Sequence, residues 1–156
     1  MKKAIRAGIP ACYREKAWPI LCEFHVLKKK KGYNFNEVVK KSNPSAEKII
    51  EKDLRRTFPK NIFFSNGEGP NSIKKILLCV SLTFPSVSYT QGMNCIAGFF
   101  SLLMSDEKAY LMFCYLFDTR NMENYFSDIQ LLGRYFFIFE KLCQKYLSNI
   151  YKHFVK

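Results

Sequence analysis

The clearest helix signal in this 156-residue sequence is Ile73-Lys74-Lys75-Ile76-Leu77-Leu78-Cys79-Val80-Ser81-Leu82-Thr83-Phe84-Pro85. Its apolar residues from Ile73 to Phe84 follow an i, i+3, i+4, i+7, i+11 pattern, which places them on one face of an α-helix. Proline cannot continue a helix, so the helix should end at Pro85. The segment therefore predicts an amphipathic helix that buries one face.

Similar patterns lie on both sides of this segment. Further helices are predicted from Pro10, from Asn43-Pro44 to no later than Phe58, over residues 93–104, from Ser105 or Asp106 to about Asp118, and across Leu132 to Tyr146. Residues 26–42 are predicted to be a connection, and residues 61–71 a loop rich in glycine. No segment alternates apolar and polar residues long enough to indicate a strand, so the predicted fold class is all-α with short connections.

Residues 1–156 are predicted to form a single helical domain. Hydrophobic residues make up 48% of the chain and aromatic residues 16%, which is enough for a core. The longest apolar run, residues 95–104, is about half of the roughly 20 residues that a transmembrane helix needs. The N-terminus has no apolar signal segment, so we expect a cytoplasmic protein. The last residues begin another apolar element, and we expect the domain to be truncated.

The cysteines and histidines do not predict a catalytic or metal site. Six cysteines are scattered without a Cys-x-x-Cys pair, and the two histidines stand far from any clustered ligands. We therefore interpret the cysteines as core thiols. The chain also lacks a Gly-x-x-x-x-Gly-Lys-Ser/Thr loop with which to bind a nucleotide of its own.

The net charge of +12 is concentrated in the first half of the chain. Residues 1–75 hold 18 basic and 7 acidic residues, hence +11, whereas residues 76–156 hold 7 and 6, hence +1. A positive field of this kind favours binding to an acidic protein, an anionic membrane or nucleic acid. Charge alone does not distinguish among these partners. The run from Lys28 to Lys31 is interpreted as a solvated loop, since its neighbours lack the interleaved aromatics of a nucleic-acid stacking surface.

Two short segments carry the strongest functional signal. One is Ile50-Glu51-Lys52-Asp53-Leu54-Arg55-Arg56-Thr57-Phe58-Pro59, and the other is Tyr89-Thr90-Gln91-Gly92-Met93. Each can present a polar side chain outward at the end of a helix. Taken alone, an arginine near a helix C-terminus is ordinarily a partner of the helix dipole, and Gln91 an ordinary polar loop residue. Nothing local distinguishes Arg55 from Arg56.

Together with the opening of the chain, these segments resemble the first part of a TBC domain, the family of Rab GTPase-activating proteins. The resemblance rests on three ordered motifs and runs from about Gly8 to the end. They are Gly8-Ile9-Pro10 with Arg14 and Trp18-Pro19, Ile50-x-x-Asp53-x-x-Arg56 followed by Thr57-Phe58-Pro59, and Tyr89-x-Gln91-Gly92-Met93. A second helical part that follows in the family has no counterpart in this sequence.

The resemblance implies that Arg56 is an arginine finger and Gln91 a glutamine finger, both acting in trans on a Rab-family GTPase. Asp53, Tyr89 and Gly92 would support them. The chain would then be a GTPase activator in vesicle trafficking rather than an enzyme in its own right. It would need no cofactor, because GTP and Mg²⁺ would belong to the partner. Peripheral contact with anionic endomembranes is a further expectation, and nucleic acid is not an expected partner.

Two alternatives remain open on the sequence. The first is an adaptor that binds a small GTPase or another protein without accelerating hydrolysis, which the missing second part favours. The second is a basic helical module for anionic membrane or nucleic acid, with binding that depends on Lys28 to Lys31 and on salt. The sequence does not indicate an oligomeric state.

Overall fold

A computed structural model describes residues 5–65, 67–120 and 122–155, with eleven helices from Ala11 onward and no strand among the described residues. The prediction of an all-α fold is therefore confirmed. Residues 1–4 and 156 lie outside the described ranges. The expectations of a cytoplasmic protein and of a truncated domain rest partly on these residues. The helices are α1 (Ala11–Leu21), α2 (Phe24–Lys31), α3 (Phe35–Val38), α4 (Pro44–Leu54), α5 (Ile62–Ser65), α6 (Glu68–Thr83), α7 (Met93–Ser101), α8 (Asp106–Arg120), α9 (Met122–Ser127), α10 (Ile129–Tyr146) and α11 (Ser148–Phe154).

Helix α6 lies at the centre of the fold and packs against α4, α5, α7 and α8. The apolar face predicted from its sequence is buried, with Ile73, Ile76, Leu77 and Val80 fully excluded from solvent. The helix ends at Thr83, before Pro85, as predicted. Helices α4, α5, α7 and α8 therefore share one central packing partner.

Aromatic side chains of α8 pack against α7 and against the end of α6. Phe113 makes an edge contact with Phe100 of α7 at a centroid distance of 5.7 Å, and Phe117 does the same with Phe84 at 5.0 Å. The buried Tyr110 hydroxyl shares a 2.9 Å hydrogen bond with Thr83 Oγ1 at the end of α6. These contacts fix α6, α7 and α8 relative to one another.

Helix α4 begins at the cap predicted from Asn43-Pro44. Asn43 Oδ1 accepts a hydrogen bond from the backbone nitrogen of Ala46 at 3.3 Å, and Pro44 occupies the first helical position, where its missing N–H costs nothing. Lys74 of α6 pairs with Glu47 at 2.6 Å and with Glu51 at 2.7 Å on the outer face. The helix ends at Leu54, so the following residues are free to turn outward.

The prediction that residues 26–42 form a connection is wrong. Helices α2 and α3 occupy most of this segment, and the lysine run forms the last turn of α2 rather than a loop. The reason is tertiary, because Phe24 and Leu27 are buried in the core. Lys28 pairs with Glu107 at 2.5 Å and Lys31 with Asp118 at 3.2 Å, so acidic residues of α8 neutralise part of the run.

The prediction of a loop over residues 61–71 is also wrong for most of its length. Helix α5 begins at Ile62, and α6 already begins at Glu68, directly after Gly67 at φ +90°. Pro70 is the third residue of α6, where a backbone N–H would have no helical partner. The Phe64 ring packs so closely on Gly69 that a Cβ there would lie 2.4 Å from it, which explains the small residue.

Helix α10 matches the last amphipathic pattern of the sequence. Asp128 Oδ1 caps it by accepting from the backbone nitrogens of Gln130 at 2.8 Å and Leu131 at 3.1 Å. Much of its apolar side is exposed, including Phe136 at 62% and Phe139 at 66%. No helix within the described residues is long and apolar enough to cross a membrane.

The cysteines are only partly the core thiols that we predicted. Cys79 and Cys114 are buried, while Cys22 and Cys143 are half-buried. Cys12 and Cys95 are exposed, so the prediction is wrong for these two.

Candidate functional site

The turn after α4 presents Arg56 to solvent. The backbone nitrogen of Arg56 donates to the Asp53 carbonyl at 3.2 Å, and that of Thr57 to the Leu54 carbonyl at 3.1 Å, so the chain leaves the helix through tight turns. Phe58 then adopts φ +46°, a left-handed conformation that is uncommon for a residue other than glycine. We call residues 55–60 the arginine loop.

Phe58 anchors the arginine loop on α7. A Cβ added to Gly98 would lie 2.8 Å from the Phe58 ring, so the ring rests directly on the backbone of α7. The ring also packs against Phe64 of α5 at a centroid distance of 5.4 Å. Strained backbone persists only where its surroundings hold it, and these two contacts supply that support.

Asp53 pairs with Arg56 from within the protein. Asp53 Oδ1 lies 2.6 Å from Arg56 Nη2, with the Asp53 side chain 6% exposed and that of Arg56 55% exposed. Because the carboxylate is buried and held, it restrains one side of the guanidinium while the rest faces solvent. A guanidinium has five N–H donors, so several remain for another ligand.

Tyr89 completes the environment of Asp53. Its hydroxyl donates to the second carboxylate oxygen, Asp53 Oδ2. Burial raises the pKa of Tyr89 well above its ordinary value, and the hydrogen bond to the Asp53 carboxylate raises it further. The hydroxyl is a hydrogen-bond donor to the carboxylate, and it ties the segment before Gln91 to the end of α4.

Gln91 lies in the turn that enters α7, with its side chain exposed. Gly92 follows at φ +103° and directly precedes the first residue of α7, Met93. A Cβ on Gly92 would meet no atom within 4 Å, so the backbone conformation rather than space requires glycine here. The backbone nitrogen of Thr90 faces Met93 Sδ at 3.3 Å, which closes the turn. We call residues 89–92 the glutamine loop.

Two buried residues that the sequence reasoning did not assign to the site join the loops. Asn94 Nδ2 donates to Thr57 Oγ1 at 2.7 Å, and Asn94 Oδ1 accepts from the Gly92 nitrogen at 3.0 Å. Thr57 is 2% exposed and Asn94 4%. Asn94 carried a signal in the sequence, since a polar residue on the buried face of an apolar helix must find hydrogen-bond partners.

The structure thus brings Asp53, Arg56 and Tyr89 into direct contact, and it connects Gly92 to them through Asn94 and Thr57. Gln91 adjoins this network through its peptide bond to Gly92. A model of the Rab-GTPase-TBC domain matches residues 11–156.

The chain belongs to the TBC domain family.

Three relatives agree with this assignment. The GTPase-activating protein GYP3 of Saccharomyces cerevisiae is 36% identical over 135 residues, which are 72% of this chain and 20% of that protein. Human TBC1 domain family member 1 is 32% identical over 163 residues, 98% of this chain and 14% of the relative. The human ecotropic viral integration site 5 protein homolog is 30% identical over 157 residues, 99% and 19% respectively. The chain spans about a fifth or less of the length of these relatives.

A cavity in this TBC chain opens beside the glutamine loop. It has a volume of about 360 Å³, and its other walls come from the start of α7 and from α9 and α10. Its lining residues are Thr90, Gln91, Gly92, Ile96, Tyr125, Phe126 and Leu132. Gln91 therefore lies at the edge of a largely apolar recess.

Proposed function

We propose that this chain stimulates GTP hydrolysis on a Rab-type small GTPase by supplying Arg56 and Gln91 in trans. The observation that carries the proposal is the hydrogen-bonded network from Asp53 through Tyr89, Thr57 and Asn94, which joins the two loops. Family membership and the name of the yeast relative as a GTPase-activating protein support the same activity.

Arg56 has the chemistry that phosphoryl transfer requires. In the transition state, negative charge spreads over the transferring group and the leaving oxygens, and a small GTPase alone stabilises that charge poorly. A guanidinium brings a permanent positive charge and a planar set of donors into a site from which water is excluded. An arginine supplied in this way contributes about 10³ to 10⁵ in rate, or roughly 4 to 7 kcal/mol of barrier.

Gln91 would orient the attacking water. Its side-chain amide offers a carbonyl oxygen that accepts and an NH₂ group that donates, so it can hold a water on a fixed line of approach. The exposed side chain and the left-handed turn at Gly92 support this role, because they leave the amide free to enter a partner's active site.

The charge around Arg56 suits an anionic nucleotide site. Lys52, Arg55 and Lys60 are all exposed close to Arg56 in sequence, so the arginine loop carries a positive field. Such a field steers an anionic partner and raises the rate of association at low salt. In the proposed complex, GTP and Mg²⁺ enter with the partner GTPase and the chain brings no cofactor. The activity then belongs to the cytoplasmic face of endomembranes.

The experiment is a single-turnover GTP hydrolysis assay across a panel of Rab proteins, using this chain and a longer version of the protein. Arg56→Ala and Gln91→Ala should each abolish most of the stimulation. Matched controls are Arg55→Lys, which keeps the charge beside Arg56, and Gln130→Ala, which removes an exposed glutamine from α10. Stimulation that survives both Arg56→Ala and Gln91→Ala would overturn the proposal. GTPase binding without acceleration would indicate an adaptor, and binding to anionic vesicles or nucleic acid that ignores Arg56 would indicate a basic module.

A further inference from the structure

Asn94 lies where the arginine loop and the glutamine loop meet. It is in the first turn of α7, and its side-chain amide bonds Thr57 on one side and the Gly92 nitrogen on the other. Thr57 directly follows Arg56 in sequence, and Gly92 directly follows Gln91. One buried side chain therefore contacts the neighbour of each exposed functional residue.

The Asn94 amide has one orientation that satisfies these contacts. The Gly92 backbone N–H can only donate, so it must face the amide oxygen. The NH₂ group then faces Thr57 Oγ1, whose own proton is donated to the Asp53 carbonyl at 2.7 Å. A rotated amide would leave buried donors opposed to each other, so the bonding pattern holds the side chain in place.

We propose that Asn94, acting through Thr57 and Gly92, is a positioning residue that sets the location of Gln91 relative to Arg56. This inference rests on the proposed function and deepens it. Arg56 and Gln91 must act on one phosphoryl group together, and a displacement of about 1 Å in such a site can cost about 10²-fold in rate. The connection through Asn94 makes the two loops one unit.

Thr57→Val tests this connection with little change of shape, because it removes the hydroxyl that Asn94 bonds. Thr57→Ser keeps the hydroxyl and serves as the rescue variant. Ser81→Ala is the matched control, since Ser81 of α6 is 1% exposed and outside both loops. Its hydroxyl donates to the Leu78 carbonyl at 2.8 Å and accepts from Asn43 Nδ2 at 3.1 Å, which repeats the bonding of Thr57.

Each variant is assayed with the GTPase that the panel identifies, in the version of the protein that is most active on it. Thr57→Val should lower the maximal stimulated rate by about 10- to 100-fold while the GTPase concentration for half-maximal stimulation changes by less than about 3-fold. Thr57→Ser and Ser81→Ala should keep a maximal rate within about 3-fold of the unmodified protein. Equal losses in Thr57→Val and Ser81→Ala, or no loss in Thr57→Val, would overturn the inference.

Two further measurements separate the possible failures. If Arg56→Ala and Gln91→Ala leave the stimulated hydrolysis rate unchanged, the proposed function itself fails. If they lower that rate and Thr57→Val does not, only the positioning role fails.

Hydrogen exchange is measured on the unmodified chain, so this test does not depend on the folding of any variant. The Gly92 amide should exchange at least about 10-fold more slowly than an unstructured amide, because Asn94 holds it. Exchange at the unstructured rate would contradict the inference.

Discussion

Tyr89 and Asp53 are 36 positions apart in sequence, and in the folded chain the Tyr89 hydroxyl donates to the Asp53 carboxylate in a buried contact. The other oxygen of the same carboxylate pairs with the exposed Arg56. A phenol inside the protein therefore orients the carboxylate that restrains a guanidinium at its surface. This arrangement connects the stability of the core to the geometry of the site.

We expect Tyr89→Phe to destabilise the chain and to weaken GTPase stimulation. The variant leaves the buried Asp53 carboxylate without one of its donors, and a hydrogen bond to a charged group contributes about 1.5 to 3 kcal/mol. Urea unfolding should show a loss of that size. Tyr115→Phe is the control, because the Tyr115 hydroxyl is in an exposed contact with Arg120, and its removal should cost less than about 0.5 kcal/mol. Similar losses in the free energy of unfolding would mean that the hydrogen bond to Asp53 stabilises the chain no more than an exposed contact does.

Arg56→Lys should separate charge from geometry. A lysine at this position can still pair with Asp53, so urea unfolding should change by less than about 0.5 kcal/mol. It lacks the planar set of donors, so most of the roughly 10³- to 10⁵-fold stimulation expected of an arginine should be lost. The stimulated hydrolysis rate measures this directly, with Arg55→Lys as the control that should remain active. A fully active Arg56→Lys protein would mean that charge alone suffices.

The sequence predicted α1, α4, α6, α7, α8 and α10, because apolar patterns, capping residues and prolines mark helices locally. It failed where distant partners decide the structure. Lysines 28–31 extend a helix because Leu27 is buried and because Glu107 and Asp118 of α8 supply charges that no local pattern reveals.

The candidate site was predictable in its exposed members and less so in its buried ones. Motif resemblance indicated Arg56 and Gln91, and both side chains are exposed in the structure, as the sequence analysis expected of residues that project outward. Asn94 and Thr57 act through hydrogen bonds between segments that are remote in sequence, and periodicity carries no information about such pairs. The left-handed backbone conformation of Phe58 was not predicted from the sequence either, because it depends on contact with Gly98.

Gly92→Ala should destabilise the chain although there is room for the added methyl group. The position has φ +103° and no atom within 4 Å of an added Cβ, so the cost is conformational, about 1 to 2 kcal/mol. Gly133→Ala is the matched control, because Gly133 lies within α10 with equally open surroundings. Alanine there should stabilise the protein by about 0.5 to 1 kcal/mol. Thermal or urea unfolding that moves both variants in the same direction would contradict this account of Gly92.

Buried thiols should make the chain sensitive to alkaline pH. Burial raises the pKa of Cys79 and of Cys114 from 9.0 to about 12, so each thiol is protonated in the folded chain where the unfolded chain has already lost the proton. Their contribution to stability is complete below pH 9.0 and is lost as the pH rises towards about 12.

Urea unfolding at about pH 7.5 and about pH 10 measures this loss, and replacing both buried cysteines with alanine should reduce its dependence on pH. Replacement of the exposed Cys12 and Cys95 should leave the dependence unchanged. A thiol reagent at neutral pH provides an independent check, because it should modify Cys12 and Cys95 rapidly and reach Cys79 and Cys114 only after unfolding. Rapid modification of all four would show that the core around α6 and α8 opens far more readily than its packing indicates.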